Sequence, residues 1–515
     1  MAPRRFLWYC SLALFVASLA FFVYAWQVTR PSGPEADARF DGPAWLSPES
    51  LEQLSHAVCE GLAGRASPVA LSESELNLQT GAVYVAIRSA GLVRAYQWGS
   101  GGTWSENLNQ ALGQLPRESD LDFVELMLTH SYRPADLFRV TELEAMRGVW
   151  GLELRHRDRF VRYNPLQMIS RDFGFVTSVA HFEDELGLTS EELYTRAQAL
   201  RFDGYQVLIR LDGKPRAIQL YRGQPRPPEQ LSPEQLEAMH AALLDWMRGP
   251  GSRLTSGYQP SSDKPMELTG PWSGQAAAAW SLAQTPDARP GEVLSRLQGV
   301  DARSGAATLA LALLAVEPLP DAWKKEQLRQ VLARVTPEQV PPGELGPLLL
   351  WWGQHQPARL AQAQVKAQQA GVRLAPWRIL SLAARGSHEL LYRECDELLK
   401  HQGGELDRLG QFYPDVPPDS EVPPASLNAL CVIALEQAAR VAREKGQDRR
   451  ARDYRNAAQQ GRLFLYRLQF RSEEDFYYVV RPEEVEGALR SNLYDNRVRV
   501  DCAAFALVAL RQREP

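Results

Sequence analysis

The pattern of apolar and polar positions changes character three times along the chain, and each change predicts a different kind of element. Phe6 to Trp26 is an apolar stretch, preceded by Arg4 and Arg5 and followed by Arg30 and an acidic run. Some twenty such residues suit a helix crossing ~30 Å of hydrocarbon, and Trp8, Tyr24 and Trp26 are placed for the two interfaces. Residues 1–30 are therefore expected to form a transmembrane signal-anchor. Charge bias puts the amino terminus in the cytoplasm and the bulk of this single-pass, inner-membrane chain in the periplasm. A cleaved secretory signal is the alternative, since Ser18 and Ala20 are small residues in a cleavage frame; Phe21, Phe22 and Val23 prolong the apolar run and favour the anchor. A spacer rich in Pro, Gly and acidic residues follows over 31–46.

From Ser47 the period is mixed. Ser47-Pro-Glu-Ser is placed to cap a helix running through Leu54 and Val58. Tyr84 to Arg88 reads as a strand, and Trp150, Leu152 and Leu154 alternate with Gly151, Glu153 and Arg155 before a return over Phe160 to Tyr163. Tyr205 to Leu211 and Arg216 to Tyr221 flank Asp212-Gly213, which tolerates the positive φ of a tight hairpin. Thr189 to Leu200 and Ser232 to Trp246 read as helices, so 47–247 is expected to be an α+β domain. Residues 248–273 collect Gly, Pro and Ser and predict a linker.

Over 274–515 only the helical period remains, from Ala276 to Ala283 through ten segments to Val500 to Arg511. Helix pairs on short turns bury their apolar stripes against one another, as a bundle, a solenoid or an α/α toroid; the absence of a sharp repeat favours the toroid. The fold class expected is thus multidomain: a transmembrane helix, an α+β domain and an all-α, toroid-like domain.

Composition narrows the partners. With 57 basic against 62 acidic residues and a net charge of −5, the chain lacks the cationic footprint of a nucleic-acid binder. Cys10 falls in the span, leaving Cys59, Cys395, Cys431 and Cys502 in an oxidising compartment, as two disulfides or as free core thiols. There is no Cys-x-x-Cys and no neighbouring Cys-His pair, so no metal or other cofactor is expected, and a zinc toroid of the lanthionine-cyclase kind is disfavoured.

The segment from Val83 to about Gly223 resembles the AMMECR domain family. Tyr84 to Gly102 stands where that family carries Leu-Arg-Gly-Cys-Ile-Gly, Trp104 to Leu112 matches its next helix, and Phe123 to Leu128 a following strand. Gly148-Val-Trp-Gly-Leu-Glu-Leu is similar to its Gly-Val-His-Gly-Ile strand, and Tyr163-Asn-Pro with Asp172-Phe-Gly-Phe to its downstream steps. The resemblance implies a small α+β fold serving as an adaptor or binding domain. Arg94 is kept, but Tyr96 replaces the family's cysteine, so a thiolate cannot be a nucleophile there.

The densest polar constellation lies over Arg481 to Arg511. Arg497, Arg499 and Asp501 alternate with Val498 and Val500, so an extended approach to the last helix would aim all three to one side, at the mouth of a helical barrel. Gly487, Leu489-Arg490-Ser491 and Val498-Arg499-Val500-Asp501 resemble the closing segment of periplasmic α/α-toroid proteins that process or bind carbohydrate. Tyr494-Asp495-x-Arg497 is similar to the C-terminal motif of glucuronyl epimerases. On that resemblance Tyr494, with Tyr477 or Tyr478, would exchange a proton beside a uronate carboxylate clamped by Arg490 and Arg497. A hydrolase would instead draw on Glu484, Asp495 and Asp501 as opposed carboxylates. Tyr413, in the Pro-rich stretch to Pro424, is a further sugar-binding candidate at a pocket rim. The structural alternative is a buried Arg and Asp network that closes the toroid. Two functions are therefore expected: binding or modification of a cell-envelope glycan or exopolysaccharide, by an epimerase, lyase or hydrolase if enzymatic, or a non-catalytic scaffold recruiting envelope proteins. An open concave face gathering these residues would favour the first, and an occluded barrel the second.

Overall fold

The structure, a computed structural model, describes residues 45–65, 81–118, 120–212, 214–266, 271–287, 289–301, 303–319, 325–369, 374–404, 407–415 and 423–511. The expected membrane anchor and spacer lie outside these residues, apart from Trp45 and Leu46. Trp45–Pro515 forms one compact unit that contains an α+β region and a helical region.

The α+β region opens with α1 (Pro48–Leu62), whose Ser47 hydroxyl accepts from Ser50 N at 3.1 Å. Strands β1 (Val83–Ser89) and β2 (Leu92–Gly99), helix α2 (Trp104–Gly113) and strand β3 (Phe123–Ala135) follow. Next come β4 (Gly151–His156), β5 (Arg159–Tyr163), α3 (Pro165–Ser170), α4 (Phe175–Leu186) and α5 (Ser190–Arg196). The region ends with β6 (Gln198–Arg210), β7 (Arg216–Tyr221) and β8 (Gln224–Pro225). The antiparallel sheet has the order β2-β1-β3-β6-β4-β5, and β7 joins β6 on its other edge. Strand β6 is long enough to pair β4 through Gln198–Phe202 and β7 through Gln206–Arg210. The strand propensity of this run overrides the helix expected through Leu200, which stops at Arg196.

Alternation along β1 serves two interiors. Val83, Val85 and Ile87 face Leu54, Val58, Leu108 and Leu112 of α1 and α2, whereas Tyr84 and Ala86 pack with Met127 and Phe202. A strand buried on both faces carries few polar positions, and Arg88 is admitted only because Glu125 pairs with it at 2.6 Å.

The helical region begins earlier than expected, with α6 (Pro233–Arg248), whose Met239, Leu243, Trp246 and Met247 belong to the helical core. Six further helices form an inner layer among the described residues: α7 (Pro271–Ala283), α9 (Ala306–Val316), α11 (Leu345–His355), α13 (Ala375–Arg385), α15 (Pro424–Glu444) and α17 (Val500–Leu510). Each packs on the next and α17 returns to α7, so the ring is closed. Outside it lie α8 (Pro290–Arg296), α10 (Lys325–Leu332), α12 (Pro357–Gln369), α14 (His388–Leu399), α16 (Asp448–Leu468) and α6. Helices α9 and α17 are apolar all round because an inner helix is covered on the outside and faces its own kind within. The same burial accounts for α15, long and apolar enough to cross a membrane but with 78% of its apolar window inside the protein.

The expected linker is built structure. Strands β9 (Gly257–Gln259) and β10 (Lys264–Met266) form a hairpin, and β9 pairs with β11 (Val498–Arg499). Gly, Pro and Ser signal departure from helix, but the backbone groups of such a stretch still need partners when covered, and β11 supplies them. The four cysteines outside the leader are free, and Cys395, Cys431 and Cys502 are buried.

Candidate functional site

The closing segment, residues 470–499, lies between the sheet and the end of the ring at which the inner helices begin. Its polar residues separate into four groups.

Arg490 is fully buried and does not reach a surface where substrate could be clamped. Its Nε donates to Tyr478 Oη at 2.9 Å, Nη2 lies 3.4 Å from Asp475, and the guanidinium stacks 4.2 Å over Phe470. Tyr478 in turn donates to Asn496 Oδ1 at 2.8 Å, and Asn496 Nδ2 donates to the Ile169 carbonyl in the α+β region. Burial, opposed by the Arg490 guanidinium, pushes the Tyr478 phenol up to about 12. Tyr477, also fully buried, points the other way, with Arg88 5.5 Å over its ring and its hydroxyl without a partner among the described residues. Burial raises its pKa further from any pH at which it would give up a proton.

Tyr494, Asp495 and Arg497 do come together, around a residue that sequence reasoning had not assigned to the site. Arg497 holds Asp495 through Nε at 2.8 Å and through its own backbone N at 2.9 Å. On its other side the same guanidinium is 3.9 Å from Asp172, which also lies 3.8 Å from Arg147. Arg147 sits 5.6 Å over the Tyr494 ring, and that ring is 5% exposed. Burial, and then the Asp495 carboxylate, push Asp172 up to about 6 against the opposing pull of Arg147 and Arg497. A pair of carboxylates with one acid raised is an arrangement able to move a proton. Here both are covered, Asp495 is hydrogen-bonded to Arg497, and Asp172 faces Arg147 and Arg497 at ion-pair distance. Asp172 had been noted only within the Asp-Phe-Gly-Phe match, and no periodic signal places it against residues 494–497.

Asp501 stands apart, in the first turn of α17. Arg499 Nε donates to it at 2.9 Å and Ser426 Oγ at 3.0 Å. Glu484 lies elsewhere, at the edge beside α6, where Arg253 donates to it at 2.8 Å. Tyr413 packs its ring 4.9 Å from His401 and is 6% exposed, so it is covered rather than on a rim. Arg497 and Arg499 each pair with a carboxylate two residues away, so these charges are spent on one another.

The lumen of the ring is closed partway along by three aromatic side chains. Trp280 of α7, Trp377 of α13 and Phe505 of α17 meet with ring centroids 5.8 to 6.4 Å apart. Helices α7 and α13 are not neighbours, so these contacts cross the lumen.

No protein-family model and no curated protein matches the chain. Among solved structures, an uncharacterized protein from Pyrococcus horikoshii is similar at 14% identity, with a TM-score of 0.27, over 34% of this chain and 96% of that one.

Proposed function

We propose that the protein is a membrane-anchored, extracytoplasmic binding protein of cell-envelope or exopolysaccharide assembly, in which an AMMECR-like α+β domain and an α/α toroid recruit envelope components. In this reading the closing segment joins the two domains and does not turn over a glycan. One observation carries it: the polar groups suited to epimerase, lyase or hydrolase chemistry are buried or bound to one another. Asp495 is held by Arg497, Asp501 by Arg499 and Ser426, Glu484 by Arg253, and Arg490 by Tyr478 and Asp475. Asp495 and Arg490 are covered, and breaking a covered ion pair to admit a substrate is costly. The closed lumen supports the same reading, since an occluded ring offers no concave face at that end.

The compartment is tested by fusing alkaline phosphatase to the carboxyl terminus of the full chain in cells. Activity on the outer side of the membrane is expected; a fusion that is inactive while a fluorescent protein at the same position folds in the cytosol would remove the envelope. In the same cells, Tyr494→Phe should leave polymer composition and yield unchanged. A changed uronate content at normal protein level would return Tyr494 to chemistry.

A further inference from the structure

The two mouths of the ring are built differently. Where the inner helices begin, the closing segment seals the end: Ala425 N donates to the Ser491 carbonyl and Val500 N to the Ser256 carbonyl. Where they finish, residues of all six inner helices surround a cavity of about 560 Å³ that opens to solvent. That volume lies within the range of small-ligand sites.

The lining is chemically specific. Its floor is the Trp280 ring with Leu314, Leu350, Leu380 and Ile433, an apolar platform from five of the helices. Above it stand three amides, Gln284, Gln354 and Gln437, each able to donate and to accept. Two carboxylates and two guanidiniums complete the wall, and they are paired. Glu436 is 2.8 Å from Arg462, which also donates to the Ala509 carbonyl at 2.8 Å. Glu317 is 3.1 Å from His355 and 3.2 Å from Arg329, and Arg511 donates to the Gln284 carbonyl.

This pattern selects by charge. Glu317 and Glu436 are matched by Arg329 with His355 and by Arg462, and the five helices that finish beside the cavity each add a partial negative charge of roughly half a unit that offsets Arg511, so an anion gains little here. Hydroxyl groups find partners in the side-chain amides, whose oxygens accept and whose nitrogens donate. A flat ring with an apolar C–H face fits the floor, and its hydroxyls meet the amides.

We propose that this mouth binds a neutral oligosaccharide of one to three sugar rings. The proposal rests on the reading of the chain as a binding protein, and it turns away from a uronate polymer: the arginines expected to clamp a carboxylate are at the opposite end and occupied.

The test uses the full chain in lipid nanodiscs, applied to an array of immobilised neutral and uronate-bearing glycans. Retention on neutral glycans is expected, weakened about tenfold or more in Gln354→Ala/Gln437→Ala, as loss of two hydrogen bonds of ~1 kcal/mol each implies. Tyr494→Phe should bind like the parent. Gln354→Ala alone, at an exposed position, serves if the double variant melts early. Binding restricted to uronate glycans, equal binding by the pocket variants, or no retention on any neutral glycan each overturns the proposal. None of these results alters the phosphatase readout, so the compartment and the site stand or fall separately.

Discussion

At Asp172 the backbone takes φ +53°, a left-handed conformation that Asp and Asn tolerate better than most side chains. The carboxyl it carries is covered, faces Asp495, and titrates at about 6 against an ordinary 3.8. The folded state therefore holds this proton more tightly than the unfolded chain does. The stabilisation from the neutral acid is complete below pH ~4 and is lost as pH rises through about 6. A shift of this size corresponds to at most ~3 kcal/mol. Asn is an uncharged isostere that accepts the same backbone. Asp172→Asn should match the parent in stability near pH 4 and exceed it near pH 7.5, by an amount on the order of 1–3 kcal/mol. Urea midpoints at the two pH values decide the matter, and a stability difference that does not change with pH would show that burial of this acid is not strained.

Among the elements, the β1–β2 turn packs its backbone directly on the closing segment. Gly91 has φ +73°, and a Cβ built there would lie 2.1 Å from the Val479 carbonyl oxygen, while Arg88 Nη1 donates to the Gly91 carbonyl at 2.7 Å. Backbone against backbone cannot be relieved by a rotamer. Gly91→Ala is expected to cost well over ~1 kcal/mol, and the damage should be shared. Hydrogen exchange should accelerate both in 83–99 and in 477–480; acceleration in the hairpin alone would mean that the contact carries no stability. Local elements such as these were largely legible in the sequence. Leu152 and Leu154 gave β4 by their period, Ser47 gave the start of α1 by its cap, and the apolar runs gave α9 and α17. Pairings distant in sequence were not legible. The Gly- and Pro-rich stretch before α7 reads as a linker until β11 is seen to complete it, and Asp172 has no local feature that predicts Arg497 as its neighbour. Conversely, Asp495 with Arg497 and Arg499 with Asp501 were visible as two-residue spacings. Such neighbours pair easily with each other, as the alternative of an Arg and Asp network expects.

The compact unit that starts at Trp45 behaves, on this packing, as one body rather than two on a tether. A single hydrophobic cluster includes Leu166, Ile169, Leu208 and Leu220 of the α+β region, Tyr477 and Leu489 of the closing segment, and the ring helices α7 through α17. Separating the regions would expose apolar surface on both sides, and would also part Arg222 from Asp407 and Arg497 from Asp172. Opening the ring is no easier. Helix α17 is apolar all round, contacts α6, α7 and α15, and places Phe505 against Trp280 and Trp377 in the lumen. A polypeptide of residues 45–511 should therefore unfold in one calorimetric transition, with tertiary and secondary circular dichroism falling together. Ending the chain after Arg499 should abolish that transition in the α+β region as well as in the ring, because the closing segment that covers the sheet is held in place by the helix that follows it. Two resolved transitions in 45–511, or an α+β region that melts normally without α17, would show that the segment is a contact between independent domains and not the joint of a single core.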